Sequence, residues 1–507
     1  LNHYQMGADR LDSPMRRRDD GSYEAIDWDT AIREVAAGLK GIKDNYGGDK
    51  IYLIGGGGQG NHLGGVYTSA LTNALGVKYQ TNPLAQEKTG EFWVQGKMFG
   101  GGGPHGDFHN AEVAMFVGKN PWQTHGFPQT RKVLREIAKD PSRTMIVLDP
   151  ALTDTAKMAD IHLRVKPGTD AWCLSAMVAT LIQEDLVDHA FIAEHTSGYD
   201  AIKQHFAELS ISEYAGICDV DEALIRKAAR IVAASNAAAV FEDLGTQQNV
   251  HSTLVSYIQR LVWVLTGNFA KKGTPNIPVP FLSITEAAKQ STSSSREGEG
   301  KEKGEEPSKA KKSHKVSPVL GSRVIAGLLP CNEVPDEILT DHPDRFRAAI
   351  IQSSNPVHSY ADSDRMREAM RALEFSVVVD VAMTETARLA DYVLPAASQF
   401  EKYECTFFSV EYPRNHVHLR QPIVEPLPGT LQEAEIYTRS MEALGAIDDG
   451  LLNTLNQAVD KSRLDFAMSF MGAVAEQPKL LGIAPALLYR TLGRTLNDGE
   501  AAAAAPL

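Results

Sequence analysis

The sequence predicts an α/β fold in which two related, doubly wound parallel-sheet domains arose by internal duplication and one interrupts the other. A 17-residue segment that begins at Val147 recurs 231 residues later, beginning at Val378, and nine of its positions are identical in the two copies. A hydrophobic run that ends in Asn-Pro precedes each copy, at residues 120–121 and 355–356. A repeat this long indicates a duplicated domain core, because solenoid repeats recur about every 20 to 50 residues.

Each copy begins with a continuous apolar run that is followed directly by a polar residue. Such a run is typical of a strand buried on both faces, and the polar residue marks the carboxyl edge of a parallel sheet. Ligands of open α/β sheets bind in the crevice outside that edge, so two copies indicate two similar ligands or one ligand with two similar halves. The alternative is a duplicated scaffold whose Asp and Thr side chains only cap helices and close turns.

The overall composition is that of a globular protein with two or three domains. The chain has 507 residues and a mass of 55.2 kDa, and 43% of its residues are hydrophobic. Its net charge of -13 argues against a nucleic-acid surface, which needs a basic face, and no apolar run is long enough to predict a membrane span. The cysteines form no Cys-x-x-Cys motif and predict buried thiols in a reducing, cytoplasmic compartment; they are Cys173, Cys218, Cys331 and Cys405.

Near the amino terminus the pattern predicts a helix, a strand and a glycine-rich turn. Asp27 precedes apolar residues at helical spacing and is expected to cap that helix, and residues 51–54 form a short buried strand. The run at 55–60 is rich in glycine, so the backbone amides of Gly57 and Gly58 are expected to approach an anionic ligand closely. The alternative is a flexible tight turn without a ligand.

Two further polar residues suit a heterocyclic base. Asp170 follows Pro-Gly-Thr at the start of a helical pattern. Its carboxylate either caps the helix or accepts hydrogen bonds from the two adjacent donors of a guanine. Gln248 offers a donor and an acceptor to a base edge, or it lies in an exposed loop without a ligand.

The order and spacing of these motifs resemble the central portion of molybdopterin oxidoreductases of the dimethyl-sulfoxide-reductase and formate-dehydrogenase superfamily. The resemblance spans roughly residues 3 to 445. The motifs that carry it are Arg10-Leu-Asp-Ser-Pro14, Asp27-Trp-Asp29, Gly118-Lys-Asn-Pro121, Asp149-Pro150, Ala159-Asp160, Pro167-Gly-Thr-Asp170, Leu265-Thr-Gly-Asn268, Asn355-Pro356, Thr384-Glu-Thr-Ala387, Ala390-Asp-Tyr-Val-Leu-Pro395 and Glu401-Lys402.

Members of this superfamily hold one molybdenum or tungsten ion with two molybdopterin guanine dinucleotides, one on each of two related α/β domains. The resemblance implies that one nucleotide arm contacts Asn120, Pro121, Asp149, Pro150, Gly168, Thr169, Asp170, Leu244 and Gln248. It implies that the other arm contacts Asn355, Val379, Asp380, Thr384 and Lys402. Backbone amides, more than lysines, are expected to meet the pyrophosphates.

Relatives often begin with an iron-sulfur segment and end with a β-rich domain that completes the dinucleotide sites, and the resemblance covers neither. We therefore expect a fragment whose iron-sulfur cluster belongs to a missing amino-terminal segment. A stretch dominated by Ser, Glu, Lys and Gly predicts a disordered insertion. The expected layout is an opening segment at 1–45, a discontinuous first domain at 46–117 and 320–445, a second domain at 118–280, the insertion at 290–315 and a helical linker at 446–507.

Many relatives bind the metal through Cys, selenocysteine, Ser or Asp in a loop that corresponds to residues 81–90. This loop has no Cys, which leaves Glu87 as an oxygen ligand, Thr89 as a poor one, or no protein ligand. Gln86, Glu87 and Lys88 would then face the substrate, and Lys88 would hold an anion or stabilise developing negative charge. The alternative for Lys88 is a surface Glu-Lys pair.

Histidines at three nearby positions, His105, His109 and His125, either accept a proton during two-electron chemistry or are ordinary hydrogen-bonding residues.

The expected function is a two-electron oxidoreductase that transfers a hydride or an oxygen atom to or from a small substrate and passes electrons to an iron-sulfur carrier or partner subunit. The competing reading is a metal-free, non-catalytic scaffold or complex subunit that keeps the fold. A formate dehydrogenase-like activity is a further alternative, which the absence of a Cys-His pair weakens. A nicotinamide dehydrogenase is a third and less favoured possibility.

Overall fold

The computed structural model describes residue 7 and residues 9–56, 61–279, 315–406, 412–415 and 417–505. Gly57, Gly58 and the predicted insertion up to residue 314 lie outside these residues. The strands are β1 (Met15–Arg17), β2 (Tyr23–Ala25), β3 (Ile51–Gly55), β4 (Tyr79–Thr81), β5 (His105–Gly106), β6 (Val113–Val117), β7 (Thr144–Leu148), β8 (Ile161–Leu163), β9 (Ala238–Glu242), β10 (Pro275–Asn276), β11 (Ala348–Gln352), β12 (Phe375–Asp380), β13 (Tyr392–Pro395), β14 (Glu404–Thr406) and β15 (His418–Arg420).

The helices follow the same chain-order numbering. They are α1 (Trp28–Tyr46), α2 (Leu63–Leu75), α3 (Leu84–Glu87), α4 (Thr89–Met98), α5 (Pro121–Thr124), α6 (Thr130–Lys139), α7 (Asp170–Gln183), α8 (His189–His195), α9 (Tyr199–Glu208), α10 (Ile211–Cys218), α11 (Glu222–Ala234), α12 (Leu244–Gln247), α13 (Ser252–Val264), α14 (Val334–Leu339), α15 (Pro356–Ser359), α16 (Ser363–Ala372), α17 (Glu433–Ala443), α18 (Asp449–Lys461), α19 (Arg463–Glu476), α20 (Ala484–Arg490) and α21 (Asp498–Ala504). Short 3₁₀ turns include Ala156–Met158 and Ala387–Leu389.

The described residues form two compact units. Unit 1 takes its described residues from the chain up to Ala85, from 315–406 and from 417–505. Unit 2 takes its described residues from 86–279 and 412–415. The bulk of unit 2 is therefore inserted between two parts of unit 1 in the chain.

Unit 2 is built on a four-stranded parallel sheet in the order β8-β7-β6-β9. All five residues of β6 are buried, as expected for a strand with helices on both faces. Met115 packs in the core on one face of the sheet with helices α7, α11 and α13, whereas Phe116 packs on the other face with α6. Because β6 continues to β7 and β8 on one side and pairs with β9 on the other, the strand order reverses between β6 and β9.

Unit 1 contains a seven-stranded sheet in the order β2-β1-β13-β12-β11-β3-β4. The five strands from β13 to β4 are parallel, and β1 and β2 add antiparallel to the edge. Alternate residues of β3 enter two different cores, with Leu53 on one face and Tyr52 on the other. The predicted α/β class with parallel, doubly wound sheets is confirmed. Helix α1 is capped as predicted, because the Asp27 carboxylate accepts the Thr30 N–H at 2.8 Å.

The unit boundary lies at residues 85 and 86, and not at 117 and 118 where the sequence pattern placed it. Strand β6 pairs with β7 and β9 over all five residues, so it belongs to unit 2. The described parts of the predicted opening segment and of the predicted carboxyl-terminal linker, up to residues 45 and 505, are also not separate pieces. Helix α1 and the carboxyl-terminal helices pack in the core of unit 1, where Leu487 and Ala502 are fully buried. The Tyr67 hydroxyl donates to the Ala502 carbonyl at 2.8 Å.

The same pair of hydrogen bonds between an asparagine side chain and a threonine, here called the latch, occurs once in each unit. In unit 2, the Asn120 side-chain oxygen accepts from the Thr155 hydroxyl at 2.7 Å and from its N–H at 3.3 Å. In unit 1, the Asn355 oxygen accepts from the Thr386 hydroxyl at 2.7 Å and from its N–H at 3.2 Å. Each threonine hydroxyl also accepts a backbone N–H two residues after its asparagine, at 3.1 Å in both units.

The similarity of the two units extends to their strand ends. The residue directly after β6, Gly118, and the residue directly after β11, Ser353, both adopt positive φ, 57° and 48°. Each donates its N–H to the neighbouring strand, at 2.9 Å and 3.0 Å. The carboxylates of Asp160 and Asp391 likewise accept a backbone N–H from β7 and β12, at 2.8 Å and 2.7 Å. These matched contacts support the predicted duplication, which itself remains a prediction.

No helix in the described part of the chain is long and apolar enough to cross a membrane.

We expect Thr386→Val to lower the free energy of unfolding of unit 1 by about 2 kcal/mol. Thr386 is fully buried, and valine keeps its shape while leaving the Asn355 oxygen and the Val357 N–H without this partner. Urea denaturation followed by circular dichroism measures the change. Thr454→Val is the matched control, because the exposed Thr454 hydroxyl donates only to a carbonyl of its own helix. Equal, small effects of the two changes would contradict a structural role for the latch.

Candidate functional site

The carboxyl ends of the strands of unit 2 bring most of the predicted site residues to one edge of the sheet. Gly118 to Asn120 follow β6, Asp149 follows β7 and Asp243 follows β9. The turn 167–169 leads from β8 into α7. Polar side chains from all four strand ends therefore line the edge where open α/β sheets bind ligands.

Asp170 does not cap the helix that it opens. It is the first residue of α7, and the N-cap position is Thr169, whose hydroxyl donates to the Lys166 carbonyl. The Asp170 residue is 4% exposed, and its carboxylate accepts the Asn249 Nδ2–H at 3.2 Å. Burial raises the pKa of Asp170, and the Asp149 carboxylate raises it further. The carboxylate therefore keeps acceptor capacity for donors of a ligand.

The orientation of Asn249 is fixed by its second hydrogen bond. Its side-chain oxygen accepts the His251 N–H at 2.9 Å, so the amide nitrogen is the group that points to Asp170. The His251 ring packs edge-on against Trp172 at 5.0 Å between centroids. The loop before α13 thus holds a single donor against the Asp170 carboxylate.

The other predicted residues of this edge have mixed roles. Asn120 uses its side-chain oxygen in the latch, and Pro121 is buried as the first residue of α5. Asp149 is 9% exposed and accepts the Ala151 N–H at 2.8 Å, and Pro150 is exposed. The turn residue Gly168 has φ of 81° and open space where a Cβ would lie.

Leu244 and Gln248 flank the helix α12 after β9. Leu244 is half-buried, and Gln248 is exposed. Within the described part of the chain, the Gln248 side chain makes no hydrogen bond. These two residues are therefore placed at the sheet edge, but no contact of the protein orients the Gln248 amide.

Lys88 is held in a half-buried cluster of charges and not in a surface pair with Glu87. Its ammonium lies 2.8 Å from Asp243 and 2.9 Å from Glu91, and Lys119 forms a second ion pair with Asp243. Burial acts to lower the pKa of Lys88, but the carboxylates of Glu91 and Asp243 outweigh it and raise the pKa. Burial acts to raise the pKa of Asp243, and the two lysines outweigh that and lower it. Lys88 and Asp243 are therefore both charged at neutral pH.

Gln86 and Glu87 are less engaged than Lys88. Glu87, the last residue of α3, is half-buried, and Gln86 is exposed. Neither side chain has a hydrogen-bond partner in the ranges that the structure describes. Burial raises the pKa of Glu87, partly offset by Lys88. A half-buried carboxylate without a donor is a group that suits a cation.

The equivalent edge of unit 1 is centred on Asp380, the last residue of β12. Its carboxylate accepts the Val381 N–H at 2.6 Å. Burial raises the pKa of Asp380 to about 6, opposed by that hydrogen bond and reinforced by Glu433. Asp380 and Asp149 occupy the same position in the two copies of the repeat.

The remaining predicted residues of unit 1 have four different environments. Asn355 is in the latch, and its amide nitrogen donates to Glu385 at 2.6 Å. Thr384 accepts the Ala387 N–H at 3.2 Å. The Val379 side chain is in the core, so only its backbone reaches the edge. Lys402 is buried and paired with Glu433 and, at 3.4 Å, with Glu404.

Two of the three histidines have ordinary surroundings. His109 shares a hydrogen bond of 3.2 Å with the Pro128 carbonyl, and His125 is an exposed residue with φ of 59° after α5. His105, in β5, lines a cavity of unit 2, and burial lowers its pKa. Among the described residues, no group of three or more His, Cys, Asp or Glu side chains is placed to hold a metal ion.

Sequence reasoning missed Lys119, Thr155, Asn249 and Asp243. Thr155 and its counterpart Thr386 had a signal, since both are identical in the repeat. Asn249 and Asp243 carry no recognisable pattern, because their partners Asp170 and Lys88 are distant in sequence.

The family is decided by a match over most of the chain. The sequence profile described as molybdopterin oxidoreductase matches residues 10–430. The chain belongs to the molybdopterin oxidoreductase family. The resemblance predicted from the motifs is confirmed.

Curated relatives include two formate dehydrogenase subunits. The F420-dependent formate dehydrogenase subunit alpha of Methanocaldococcus jannaschii is 27% identical over 487 residues, covering 94% of this chain and 68% of the relative. Formate dehydrogenase H of Escherichia coli is 28% identical over 404 residues, covering 78% of this chain and 55% of the relative. The chain thus spans between about half and two thirds of the length of these members of the family.

A solved structure shares the fold. Acetylene hydratase from Pelobacter acetylenicus superimposes with a TM-score of 0.69 at 21% identity, covering 88% of this chain and 62% of that one. At this identity the likeness establishes the fold alone.

We expect Asp380→Asn to stabilise the cofactor-free protein at pH 7.5 by up to about 3 kcal/mol. The folded-state pKa of about 6 lies above the ordinary 3.8, so the charged carboxylate opposes folding. The penalty is absent below pH 4, develops as pH rises from 4 to 6, and is complete above about 6.5. Urea denaturation from pH 4 to 8 should show the two proteins converging at low pH. The exposed Asp341→Asn serves as the control. A difference that does not change with pH would contradict the expectation.

Proposed function

We propose that this protein is a two-electron oxidoreductase that holds molybdenum or tungsten in a bis-molybdopterin guanine dinucleotide cofactor, with one dinucleotide on each unit. The observation that carries the proposal is the buried Asp170 carboxylate at the sheet edge of unit 2, with one side-chain donor from the protein. Family membership and the matched edge of unit 1 support it.

The surroundings of Asp170 fit a guanine. A buried carboxylate is costly unless hydrogen bonds compensate it, and Asn249 supplies only one. The N1–H and exocyclic amine of guanine are adjacent donors that match the two oxygens of a carboxylate. Adenine lacks this donor pair. Asp170 would therefore select guanine, and Asn249 would hold the carboxylate in place.

Unit 1 would hold the second dinucleotide at its corresponding edge. Asp380 occupies the same position in its copy of the repeat as Asp149 in unit 2, and burial, reinforced by Glu433, raises the pKa of its carboxyl. Asn355 and Thr384 keep the neighbouring loop in position through the latch and the turn. Lys402 is neutralised by its two glutamates, so we expect it to order the loop rather than bind a phosphate directly.

The metal-pterin group would supply the two-electron redox chemistry, and the protein would orient the substrate and manage charge. Lys88 is fixed by Asp243 and Glu91, which makes it a rigid positive group beside the substrate. Gln86 is free to hydrogen-bond a substrate. Glu87 is the protein group available as an oxygen ligand, since the 81–90 segment contains no cysteine.

Formate is the second candidate substrate, because formate dehydrogenases are among the relatives. The absence of a Cys-His pair in residues 81–90 separates this chain from the usual thiolate-dependent formate chemistry.

We also propose an electron-transfer subunit or iron-sulfur carrier as partner, as the name "subunit alpha" of one relative suggests. The free cysteines, all buried, fit the reducing cytoplasm.

The test is the metal and nucleotide content of the longest native form of the protein. We expect about one molybdenum or tungsten per chain by plasma mass spectrometry, and guanine nucleotide released by acid. Asp170→Asn should lower the bound guanine nucleotide by about tenfold, because the amide presents donors to the donors of the base. Asp200→Asn, at an exposed position of the same unit, should leave it unchanged.

The absence of metal in a host that loads other molybdoenzymes would overturn the catalytic proposal and leave a scaffold that keeps only the fold. Metal at full occupancy together with unchanged nucleotide in Asp170→Asn would instead overturn the role of Asp170 alone.

We expect Glu87→Gln to retain metal but to change its coordination. The cofactor sulfurs would keep the ion bound, whereas a neutral amide is a poorer oxygen ligand than a carboxylate. X-ray absorption at the metal edge should show one fewer short oxygen contact than in the wild type. Glu136→Gln, on the exposed face of α6, is the control. An identical absorption spectrum for Glu87→Gln and wild type would exclude Glu87 as a ligand.

A further inference from the structure

Unit 2 contains a small, partly open cavity, lined by both polar and aromatic side chains, next to the segment that carries Lys88. Its volume is about 70 Å³, enough for about two water molecules. Aromatic rings form much of the wall, and the polar lining comes from Glu91, Gln95, His105, Glu242, Gln259 and Arg260. Neither the family match nor the dinucleotide sites account for this cluster.

Arg260 supplies a buried N–H group that a water molecule in the cavity would satisfy. Its side chain is 4% exposed, and it pairs with Glu242 at 2.5 Å and lies 3.8 Å from Glu91. Its Nε–H has no hydrogen-bond partner among the described residues. Buried N–H groups are nearly always hydrogen-bonded, and water is the partner that a small polar cavity provides.

Glu91 connects the cavity to Lys88. Its Oε2 accepts from the Lys88 ammonium at 2.9 Å, and its Oε1 accepts from Gln95 at 2.9 Å. Its backbone N–H donates to Gln247, which in turn donates to Ser256 at 2.7 Å. The carboxylate is thereby fixed between the 86–88 segment and the cavity water.

His105 contributes an imidazole to the lining of the same cavity. Its ring lines the cavity and the residue is half-buried. Burial lowers its pKa, Glu91 raises it and Lys88 lowers it, with a net decrease. The imidazole is therefore neutral at pH 7 and has a nitrogen able to accept a proton.

We propose that this cavity is a proton-transfer route between the 86–88 segment and solvent, which runs through Glu91, ordered water and His105. The inference rests on the proposed function, because two-electron oxidoreduction of a small substrate releases or consumes protons. Arg260 is a positioning residue: it lies 3.8 Å from Glu91 and pairs with Glu242 on its other side.

Each transfer conserves atoms and charge. In the outward direction, Lys88 passes an ammonium proton along its hydrogen bond to the Glu91 carboxylate and takes up the proton that the substrate releases. Lys88 therefore stays an ammonium, and Glu91 becomes a neutral acid. Its O–H bond breaks as a new O–H bond forms on the water, and the water gives one of its protons to a ring nitrogen of His105. The imidazolium releases that proton to solvent, Glu91 is again a carboxylate, and no electron passes between these groups. Proton uptake reverses the sequence.

The test measures proton uptake by the native, metal-loaded protein while reduced methyl viologen reduces it, with a pH-indicator dye in weak buffer. In the wild type, uptake should keep pace with reduction. Glu91→Gln and His105→Gln should each slow uptake by at least about tenfold at unchanged metal content. Added imidazole should restore uptake in His105→Gln, a rescue that a merely structural histidine would not show.

His109→Gln is the matched control, because His109 is half-buried in the same unit and hydrogen-bonds only a carbonyl. Wild-type uptake in both Glu91→Gln and His105→Gln, with metal present, would overturn the route while leaving the proposed function intact. Slowed uptake in His105→Gln without imidazole rescue would overturn the role of His105 as a proton carrier. A protein that contains no metal would overturn the proposed function, and the route with it.

Discussion

The asparagine-threonine latch is the interaction on which both sheet edges depend. A strand that ends at the carboxyl edge of a parallel sheet leaves the chain without a ladder partner, and the loops there must be held by side chains. Asn120 and Asn355 each tie the loop after the first strand of a repeat to a buried threonine from the loop after the second. Asp149 directly follows β7 and Asp380 ends β12, so both lie next to the loops that the latches secure.

The charged side chains at the edge of unit 2 are held in place by ion pairs with one another. Asp243 lies between Lys88 and Lys119, so these lysines are neutralised and fixed. Asp170, by contrast, has no ion-pair partner among the described residues. It accepts one side-chain hydrogen bond, from Asn249, and burial raises its pKa. A rigid, paired lysine suits substrate positioning, whereas an undercompensated carboxylate suits a ligand that brings its own donors.

Much of the candidate site followed from the repeat and the motifs, and part of it did not. The strand-end positions of Asn120, Asp149 and Asp380 were predicted because a continuous apolar run followed by a polar residue is typical of the carboxyl end of a buried parallel strand. The environment of Lys88 was not predicted. Whether it forms a surface pair or binds an anion depends on which side chains from other strand ends lie beside it. The partner there, Asp243, is 155 residues away in the chain.

The sequence by itself determined the α/β class, the repeat, the strand ends and the family, because hydrophobic periodicity and motif order are local properties of the chain. Only the tertiary structure decided that residues 86–117 join unit 2 and that residues 446–505 complete the core of unit 1. Strand pairing and core packing join segments that are far apart in sequence, so no local pattern specifies them. The same reason explains why Asn249 and Arg260, whose roles come from distant partners, emerged only from the fold.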